Sequence, residues 1–404
     1  MKSNFDCALL LLSATLFTTP AAANGFWQQS VVPEQRLSEL SPAAVEAVAV
    51  ALRGGPAAVG EAWSLPLASG TRSWTTTSLE GAVEGDFSWR GVAAGDADSQ
   101  AIVVRRGRAL SGLISTAEAM YELVPAADGN YLVKLDSQRF PQCGGGVAVE
   151  AGWSMQPSAA ASADNRGGPV SIDVMVVYTP EARDAAGGTS QIEAVAQAAV
   201  DASNLSFENA LSTPRFRLVA TRLANYNDSG SGSTDLSWVR NDAQIAAWRD
   251  EVGADMVGLI ANSIGGCGIA SVMRNPGPGF AGSAFQVTAR GCAVGNLSYA
   301  HEHGHNMGME HNPENSSATT GSASYPYSFG HYVSGSYRTV MSYSAPCTGG
   351  CTRRPYFSNP NVIFNGVPTG IADERHNAAT ANNVAAIVAG FRPEAGLLFN
   401  NGFE

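Results

Sequence analysis

Apolar residues in the second half of the chain follow two spacings, one typical of strands and one typical of helices. The apolar run 172–178 predicts a strand, and Thr179 and Pro180 then favour a helix start, with the hydroxyl as cap and proline at the first helical position. Further strands are predicted over 216–224, 256–261 and 285–289, and helices over 191–207, 242–252, 297–307 and 378–391. This order of elements predicts an α+β fold in which helices cover a mixed twisted sheet.

The first half of the chain has a different pattern, in which apolar and polar residues alternate and glycine-bearing turns intervene. We predict strands over 100–106, 113–115 and 131–135, joined as a small antiparallel meander. The segment 155–168 is rich in Ala, Ser, Asp, Asn and Gly without a periodic apolar face, which is typical of an exposed linker open to proteolysis. We therefore expect a small β-rich domain over 24–154 and a second domain over 169–392.

Residues 1–23 have the three parts of a secretory signal peptide. Lys2 gives the charged end, 7–17 form a short apolar core, and the alanines at 21–23 supply the small-residue cleavage site. An apolar core of about eleven residues is too short to span a bilayer, which takes about 20. We therefore expect the mature protein to be exported without a membrane anchor and to end in a short tail over 393–404.

Composition narrows the classes of partner. The chain has 404 residues, of which 45% are hydrophobic, so it is long enough to bury the cores of two domains. Its formal net charge of −11 argues against nucleic acid and against an anionic membrane surface, because both repel an acidic protein. We expect neither a nucleic-acid nor a membrane partner.

The six cysteines agree with export. Cys7 falls within the predicted signal peptide, and Cys143 falls in the first predicted domain. An even number of cysteines is left in the second domain. These four residues are Cys267, Cys292, Cys347 and Cys351. They allow three disulfide pairings in an oxidising compartment, and we favour the one that joins Cys267 to Cys292 and Cys347 to Cys351, because both bonds are local.

One eleven-residue segment, beginning at His301, fits the pattern H-E-x-x-H-x-x-G-x-x-H at every fixed position. On a helix, His301 and His305 lie one turn apart on the same face, so both imidazoles can point at one metal ion. Gly308 can take the left-handed conformation that ends a helix, after which the chain can return His311 as a third ligand. Glu302 is turned about 100° from that face, which lets its carboxylate reach a water bound to the metal.

Three neutral imidazoles leave one tetrahedral position open on zinc, which is the arrangement of a catalytic zinc and not of a structural one. One catalytic Zn²⁺ is therefore the expected cofactor, with Glu302 as general base in peptide-bond hydrolysis. The alternative is a surface helix that is rich in histidine by chance, but four of the six histidines fall in this segment. The other two, His331 and His376, are interpreted as structural.

With this motif the chain resembles the metzincin clan of zinc endopeptidases, which also carry a methionine in a tight turn beneath the zinc. The segment 337–343 offers Met341 for that role, with ordinary core packing as the alternative. Within the clan, the chain looks similar to the secreted bacterial peptidyl-Asp metalloendopeptidases and their reprolysin-like relatives. The similarity lies in the segments 172–180, 356–362 and 365–370 and extends over about 171–392.

The resemblance implies a latent precursor and a preference for acidic substrates. In related pro-enzymes a thiolate of the pro-segment is the fourth zinc ligand, and Cys143 among glycines fits that role; an unpaired cysteine in a turn is the alternative. Cleavage before Asp needs a cation beside the substrate carboxylate, for which Arg353 or Arg354 is the candidate unless both are solvated. Tyr343 is expected either to bind zinc and stabilise the oxyanion or only to pack against the turn.

Two residues depart from the pattern of the clan. His303 stands where leucine or isoleucine is usual, and its direction on the helix, about 160–200° from the ligands, predicts a neutral packed imidazole and not a ligand. Asn312 replaces a frequent aspartate after the third ligand, which we expect to weaken the support of that ligand.

The sequence therefore predicts a secreted zinc endopeptidase that acts on protein and peptide substrates. It also predicts a latent precursor in which 24–154 is a pro-domain that inhibits its own catalytic domain over 169–392. The alternative is a secreted zinc-binding or adhesive protein on the same fold in which catalysis has lapsed. Intact Glu302 argues against this alternative, whereas the two departures, His303 and Asn312, keep it open.

Overall fold

A computed structural model describes residues 25–56, 58–67, 70–82, 85–149 and 168–394. The predicted signal peptide, most of the linker and most of the C-terminal tail lie outside these residues. No helix in this part of the chain combines the length and the apolar character needed to cross a membrane. The described residues form a strand barrel followed by a mixed sheet that is covered by helices.

Nine strands of the first unit close into a barrel. They are β1 (Gly25–Val31), β2 (Ala44–Arg53), β3 (Ala62–Leu67), β4 (Gly70–Gly81), β5 (Phe87–Ala93), β6 (Asp96–Arg106), β7 (Ala109–Ser115), β8 (Met120–Ala126) and β9 (Gly129–Leu135), with the short helix α1 (Leu37–Leu40) between the first two. Their order is β1-β2-β9-β8-β7-β6-β5-β4-β3, and neighbours are antiparallel except β1 and β3, which close the barrel. Closure leaves no exposed edge strand.

Tryptophan fills the barrel interior. Trp63, Trp74 and Trp89 are fully buried, and Trp63 meets Trp89 edge to face with ring centroids 4.7 Å apart. The Trp89 indole donates a hydrogen bond to the Thr76 hydroxyl at 2.9 Å, so its polar edge is satisfied inside the core. The three strands predicted in this half are confirmed within β6, β7 and β9, but their alternation did not reveal that the meander closes.

The second unit is built on a six-stranded sheet of order β10-β14-β15-β13-β11-β12. Its strands are β10 (Gly146–Ala148), β11 (Val170–Tyr178), β12 (Pro214–Leu223), β13 (Met256–Ala261), β14 (Gly268–Val272) and β15 (Phe285–Ala289). Strands β12, β11, β13 and β15 are parallel, whereas β14 runs antiparallel to β15, so the sheet is mixed as predicted. The central strands β11 and β13 are almost wholly buried, which agrees with their nearly unbroken apolar sequences.

The helices of this unit are α2 (Pro180–Ala186), α3 (Thr189–Asn209), α4 (Gly232–Asn241), α5 (Ala243–Val252), α6 (Ser298–Asn306) and α7 (Asn377–Val388). Two-residue strands lie between the last two helices, namely β16 (Tyr332–Val333), β17 (Tyr337–Arg338), β18 (Thr352–Arg353), β19 (Ile363–Phe364) and β20 (Val367–Pro368). The predicted helix start is confirmed, since Thr179 Oγ1 accepts a hydrogen bond from the Ala182 amide. Helix α4 and strand β14 were not predicted, because neither sequence shows a clear apolar spacing.

The barrel packs against the second unit through helix α3, which lies on β6 and β7. Arg90 pairs with Glu208 at 2.8 Å, and the side-chain amides of Gln100 and Asn209 exchange hydrogen bonds. Beyond β9 the chain crosses from the barrel to the sheet. This connection ends with strand β10, which pairs in parallel with β14. Since β14 lies against α6, the crossing segment, defined as residues 136–148, reaches the side of helix α6.

Candidate metal centre

Helix α6 carries the first part of the histidine motif. All nine of its residues are buried, and His301 and His305 lie one turn apart on it. The helix ends shortly before Gly308, which has a left-handed φ of +79°. A Cβ at Gly308 would also lie 2.8 Å from the Met273 carbonyl oxygen, so both conformation and space require glycine there. The chain then turns back and delivers His311 to the two rings of the helix, as the motif predicts.

The three imidazoles converge on one point. His311 Nε2 lies 3.1 Å from His301 Nε2 and 3.0 Å from His305 Nε2. The Nδ1 atoms of His301 and His305 each lie 2.8 Å from a backbone carbonyl oxygen, that of Val340 and that of Met309 respectively. Because a carbonyl oxygen can only accept, Nδ1 carries the proton in both rings, and Nε2 presents a lone pair to the centre.

This donor set fits a zinc ion. Lone pairs that face one another at such distances repel unless a cation lies between them, and two nitrogens that share a tetrahedral zinc are about 3.3 Å apart. Burial lowers the pKa of all three rings, so they are neutral, as ligands must be. In the described part of the chain, one other group of three possible metal-ligating side chains lies as close together. It consists of Cys143, His301 and Glu302.

Glu302 is fully buried beside the triad of His301, His305 and His311. No described residue other than Cys143 is a hydrogen-bond partner of its carboxylate oxygens, which is rare for a buried carboxyl. Burial raises the pKa of Glu302 to about 8, although the hydrogen bond with the Cys143 thiol and the nearby Arg353 guanidinium act in the opposite direction. The carboxyl therefore depends on the crossing segment for its one hydrogen bond and lies close to the triad.

Gly268 in β14 makes room for the Glu302 carboxyl. A Cβ at Gly268 would lie 2.3 Å from Glu302 Oε1, and no left-handed φ requires glycine there, so space alone selects it. We expect Gly268→Ala to displace Glu302 and to lower kcat for peptide hydrolysis by about 10²-fold, because a misplacement of about 1 Å can cost that much. Gly282→Ala is the matched control, since a Cβ there meets no atom within 4 Å. Equal kcat values for the two variants on one peptide would contradict this role of Gly268.

The crossing segment lies directly over the triad. Its Cys143 is buried, and the Gly144 amide donates to the Gly268 carbonyl oxygen at 2.6 Å. A Cβ at Gly146 would lie 3.2 Å from His305 Nδ1, so the glycines allow the backbone to approach the rings closely. Cys143 therefore lies close to the triad, and its Sγ is within 4.8 Å of a ligand atom of His301 and of Glu302.

A tight turn lies beneath the triad. Met341 is fully buried, and a Cβ at Gly304 would lie 2.5 Å from its sulfur, so Met341 packs against the site helix. The Tyr343 and His311 rings have centroids 4.1 Å apart. The Tyr343 hydroxyl donates to the Cys143 carbonyl oxygen at 2.9 Å. Tyr343 therefore both packs against the His311 ring and holds the crossing segment.

The two departures from the clan pattern have structural explanations. Asn312 Oδ1 accepts a hydrogen bond from the Tyr343 amide at 3.0 Å, so asparagine still ties the loop of the third ring to the turn. His303 Nδ1 lies 3.1 Å from Asn306 Oδ1, and burial lowers the pKa of His303 to about 3. His303 is therefore a neutral packed imidazole, as predicted.

Arg353 and Arg354 are both buried, so the alternative of two solvated side chains is wrong. Burial lowers the pKa of Arg353, and the neighbouring Cys143 thiol and Glu302 carboxyl partly oppose this shift. Arg354 instead donates to backbone carbonyl oxygens of the barrel at 116–117. Of the two, Arg353 alone is placed at the triad.

Both favoured disulfides form, between Cys267 and Cys292 and between Cys347 and Cys351. His331 and His376 belong to no metal-binding group among the described residues, in line with their structural interpretation.

Two residues beside the triad were not singled out from the sequence. Glycine within a strand is only a weak signal of close approach, which is why Gly268 was missed. Arg338 stands three residues before Met341, and its position in the turn segment was the one signal available.

Comparisons with known proteins agree with this geometry. Residues 169–358 match Reprolysin_5, metallo-peptidase family M12. The peptidyl-Asp metalloendopeptidase of Xanthomonas campestris pv. campestris is 32% identical over 381 residues, which covers 87% of this chain and 87% of that protein. A protein of the same name from Stenotrophomonas maltophilia strain R551-3 is 32% identical over 316 residues, which covers 74% of this chain and 72% of that protein. The chain therefore belongs to metallo-peptidase family M12, alongside the peptidyl-Asp metalloendopeptidases.

Proposed function

We propose that this protein is a zinc-dependent endopeptidase in which His301, His305 and His311 hold one catalytic ion and Glu302 is the general base. One observation carries the proposal: three ring nitrogens converge at 3.0–3.1 Å beside a buried carboxyl whose one hydrogen-bond partner among the described residues is the Cys143 thiol. Membership of the metallo-peptidase family supports it. The alternative of a binding protein without catalysis is not favoured. Burying a carboxyl is energetically costly, and in such a protein this carboxyl would have no catalytic role.

Each residue of the centre has a separate task in hydrolysis. His301, His305 and His311 would hold the zinc ion, which would supply a bound water with a pKa of about 7 and would polarise the substrate carbonyl. Glu302 takes the proton of the attacking water and then passes it to the leaving amine. The carbonyl oxygens of Val340 and Met309 hold two of the rings in the required orientation and tautomer. Tyr343 can donate to a substrate carbonyl oxygen once the crossing segment has left.

The barrel is proposed to be an inhibitory pro-domain, with Cys143 as an additional metal ligand. Ligand atoms of Cys143, His301 and Glu302 lie within 4.8 Å of one another, and β10 pairs with the β14 edge beside the triad. A segment in this position excludes a substrate peptide from the same edge. The signal peptide and linker predicted from the sequence fit a precursor that is exported and then cut, so the mature enzyme is proposed to act outside the cell.

A preference for cleavage before aspartate is proposed from two observations. The similar proteins are named peptidyl-Asp metalloendopeptidases, and Arg353 is a buried cation beside the triad. A guanidinium group can bind both oxygens of a carboxylate, which suits recognition of the residue that follows the cut bond. Arg354 is engaged by the barrel and does not take part.

Removal of the metal tests the proposed function. We expect the processed enzyme to hold about one zinc per chain, to hydrolyse casein, to lose this activity in a chelator and to regain it with added zinc. The chelated protein should also unfold at a lower temperature, because bound metal stabilises the folded state. Metal content, release of soluble peptides and the thermal midpoint are the measurements. Casein hydrolysis that persists after the metal has been removed would contradict the proposal.

A further inference from the structure

Arg338 and Arg353 form a pair of guanidinium groups beside the turn that carries Met341 and Tyr343, and each residue is about 3% exposed. Both donate to the Ser342 carbonyl oxygen, Arg338 at 2.7 Å and Arg353 at 3.3 Å, so the two cations share one acceptor. Their other acceptors are also backbone carbonyl oxygens, those of Cys351 and Asn296. Backbone carbonyl oxygens therefore hold both guanidinium groups, and Arg353 has a further side-chain partner in Cys143.

This pair of guanidinium groups has no carboxylate as an ion-pair partner. Among the described residues neither Arg338 nor Arg353 forms an ion pair, whereas Arg217 and Arg274 pair with carboxylates at 2.6 and 2.7 Å. Arg353 Nε is buried and has no hydrogen-bond partner in the described part of the chain. The Glu302 carboxyl lies near Arg353 but forms no ion pair with it, and it is assigned to the general base. Two buried like charges without an ion-pair partner are unfavourable, so the arrangement is suited to an anion that arrives from outside.

The pair lies beside the crossing segment. Both guanidinium groups donate to the Ser342 carbonyl oxygen, and the hydroxyl of the next residue, Tyr343, donates to the Cys143 carbonyl oxygen at 2.9 Å. Cys143 is therefore near both guanidinium groups, and it belongs to the segment that the proposed maturation would remove. After removal, a substrate side chain can enter the space beside the triad.

We propose that Arg338 and Arg353 together form the subsite that binds the aspartate carboxylate of the substrate. This inference rests on the proposed function and adds Arg338, so that the carboxylate is met by two guanidinium groups. An asparagine side chain has the same shape but no charge, and it would leave both cations without an anion. The subsite therefore separates Asp from Asn by charge and not by size.

The test compares two peptides that differ only in Asp or Asn after the cut bond. In active enzyme produced from the full chain, we expect Arg338→Lys to lower kcat/KM for the Asp peptide by about 10- to 100-fold, because lysine cannot bind a carboxylate bidentately. Its kcat/KM for the Asn peptide should change by less than about threefold. Arg354→Lys is the matched control, since Arg354 is adjacent to Arg353 and equally buried but contacts the barrel. It should leave the Asp-to-Asn ratio unchanged.

Binding to an inactive variant separates recognition from catalysis. In enzyme that carries Glu302→Gln, adding Arg338→Lys should weaken binding of the Asp peptide at least about tenfold, measured by fluorescence anisotropy, and leave Asn-peptide binding as it was. Equal losses for both peptides, or equal cleavage of both by the unchanged enzyme, would overturn the subsite. Failure of the unchanged enzyme to cleave either peptide or casein would instead contradict the proposed function.

Discussion

Replacing Glu302 with glutamine is expected to lower peptide hydrolysis by the processed enzyme by about 10²–10⁴-fold. Glutamine keeps the size and polarity of the side chain but cannot take up a proton, so the attacking water loses its base. The three metal-binding rings are unchanged, and the zinc content should therefore stay at about one per chain. The measurements are kcat/KM with a single peptide and the metal content of the same preparation.

Two further variants make this prediction specific. Glu251→Gln removes a carboxylate at the exposed end of α5 and should leave kcat/KM unchanged. Adding Gly268→Ala to Glu302→Gln should cost little more, because both changes act through the same carboxyl. Full activity of Glu302→Gln, or an equal loss in Glu251→Gln, would show that Glu302 is not the base.

The uncut precursor is expected to gain activity, by at least about tenfold, when Cys143 is replaced with serine. Serine has nearly the same shape, but its hydroxyl is a far poorer zinc ligand than a thiolate, so the blocked state loses stability. A loss of about 1.4 kcal/mol is enough for tenfold activation. Activation should remain partial, because two hydrogen bonds still hold the segment. The Gly144 amide donates to the Gly268 carbonyl oxygen, and the Tyr343 hydroxyl donates to the carbonyl oxygen of residue 143.

Controls decide whether the gain comes from the metal centre. The precursor with both Cys143→Ser and Glu302→Gln should have no peptidase activity. Mass spectrometry should show that each precursor chain is still uncut. With cobalt in place of zinc, the unchanged precursor should show the absorption of a metal-bound thiolate, and the serine variant should lack it. If the serine variant stays inactive and the unchanged precursor lacks this absorption, Cys143 is not a ligand of the metal.

Local sequence was sufficient for most of the elements around the site. The strands over 256–261 and 285–289 were predicted with their observed bounds. The first is an apolar run between two polar residues, and the second alternates apolar and polar residues up to an arginine. The convergence of His301, His305 and His311 was equally predictable. One helical turn places two rings on one face, and one glycine lets the chain return the third.

Contacts between distant parts of the chain could not be obtained in this way. Arg353 and Arg354 are adjacent and chemically identical, yet one lies at the metal centre and the other binds the barrel. The sharing of the Ser342 carbonyl oxygen by Arg338 and Arg353 and the closure of the barrel were equally unpredictable from the sequence. Spacing rules describe a single helix or strand, whose side-chain directions repeat with a known period. Which elements then pack together depends on loop closure and on complementary buried surfaces, and neither leaves a local pattern in the chain.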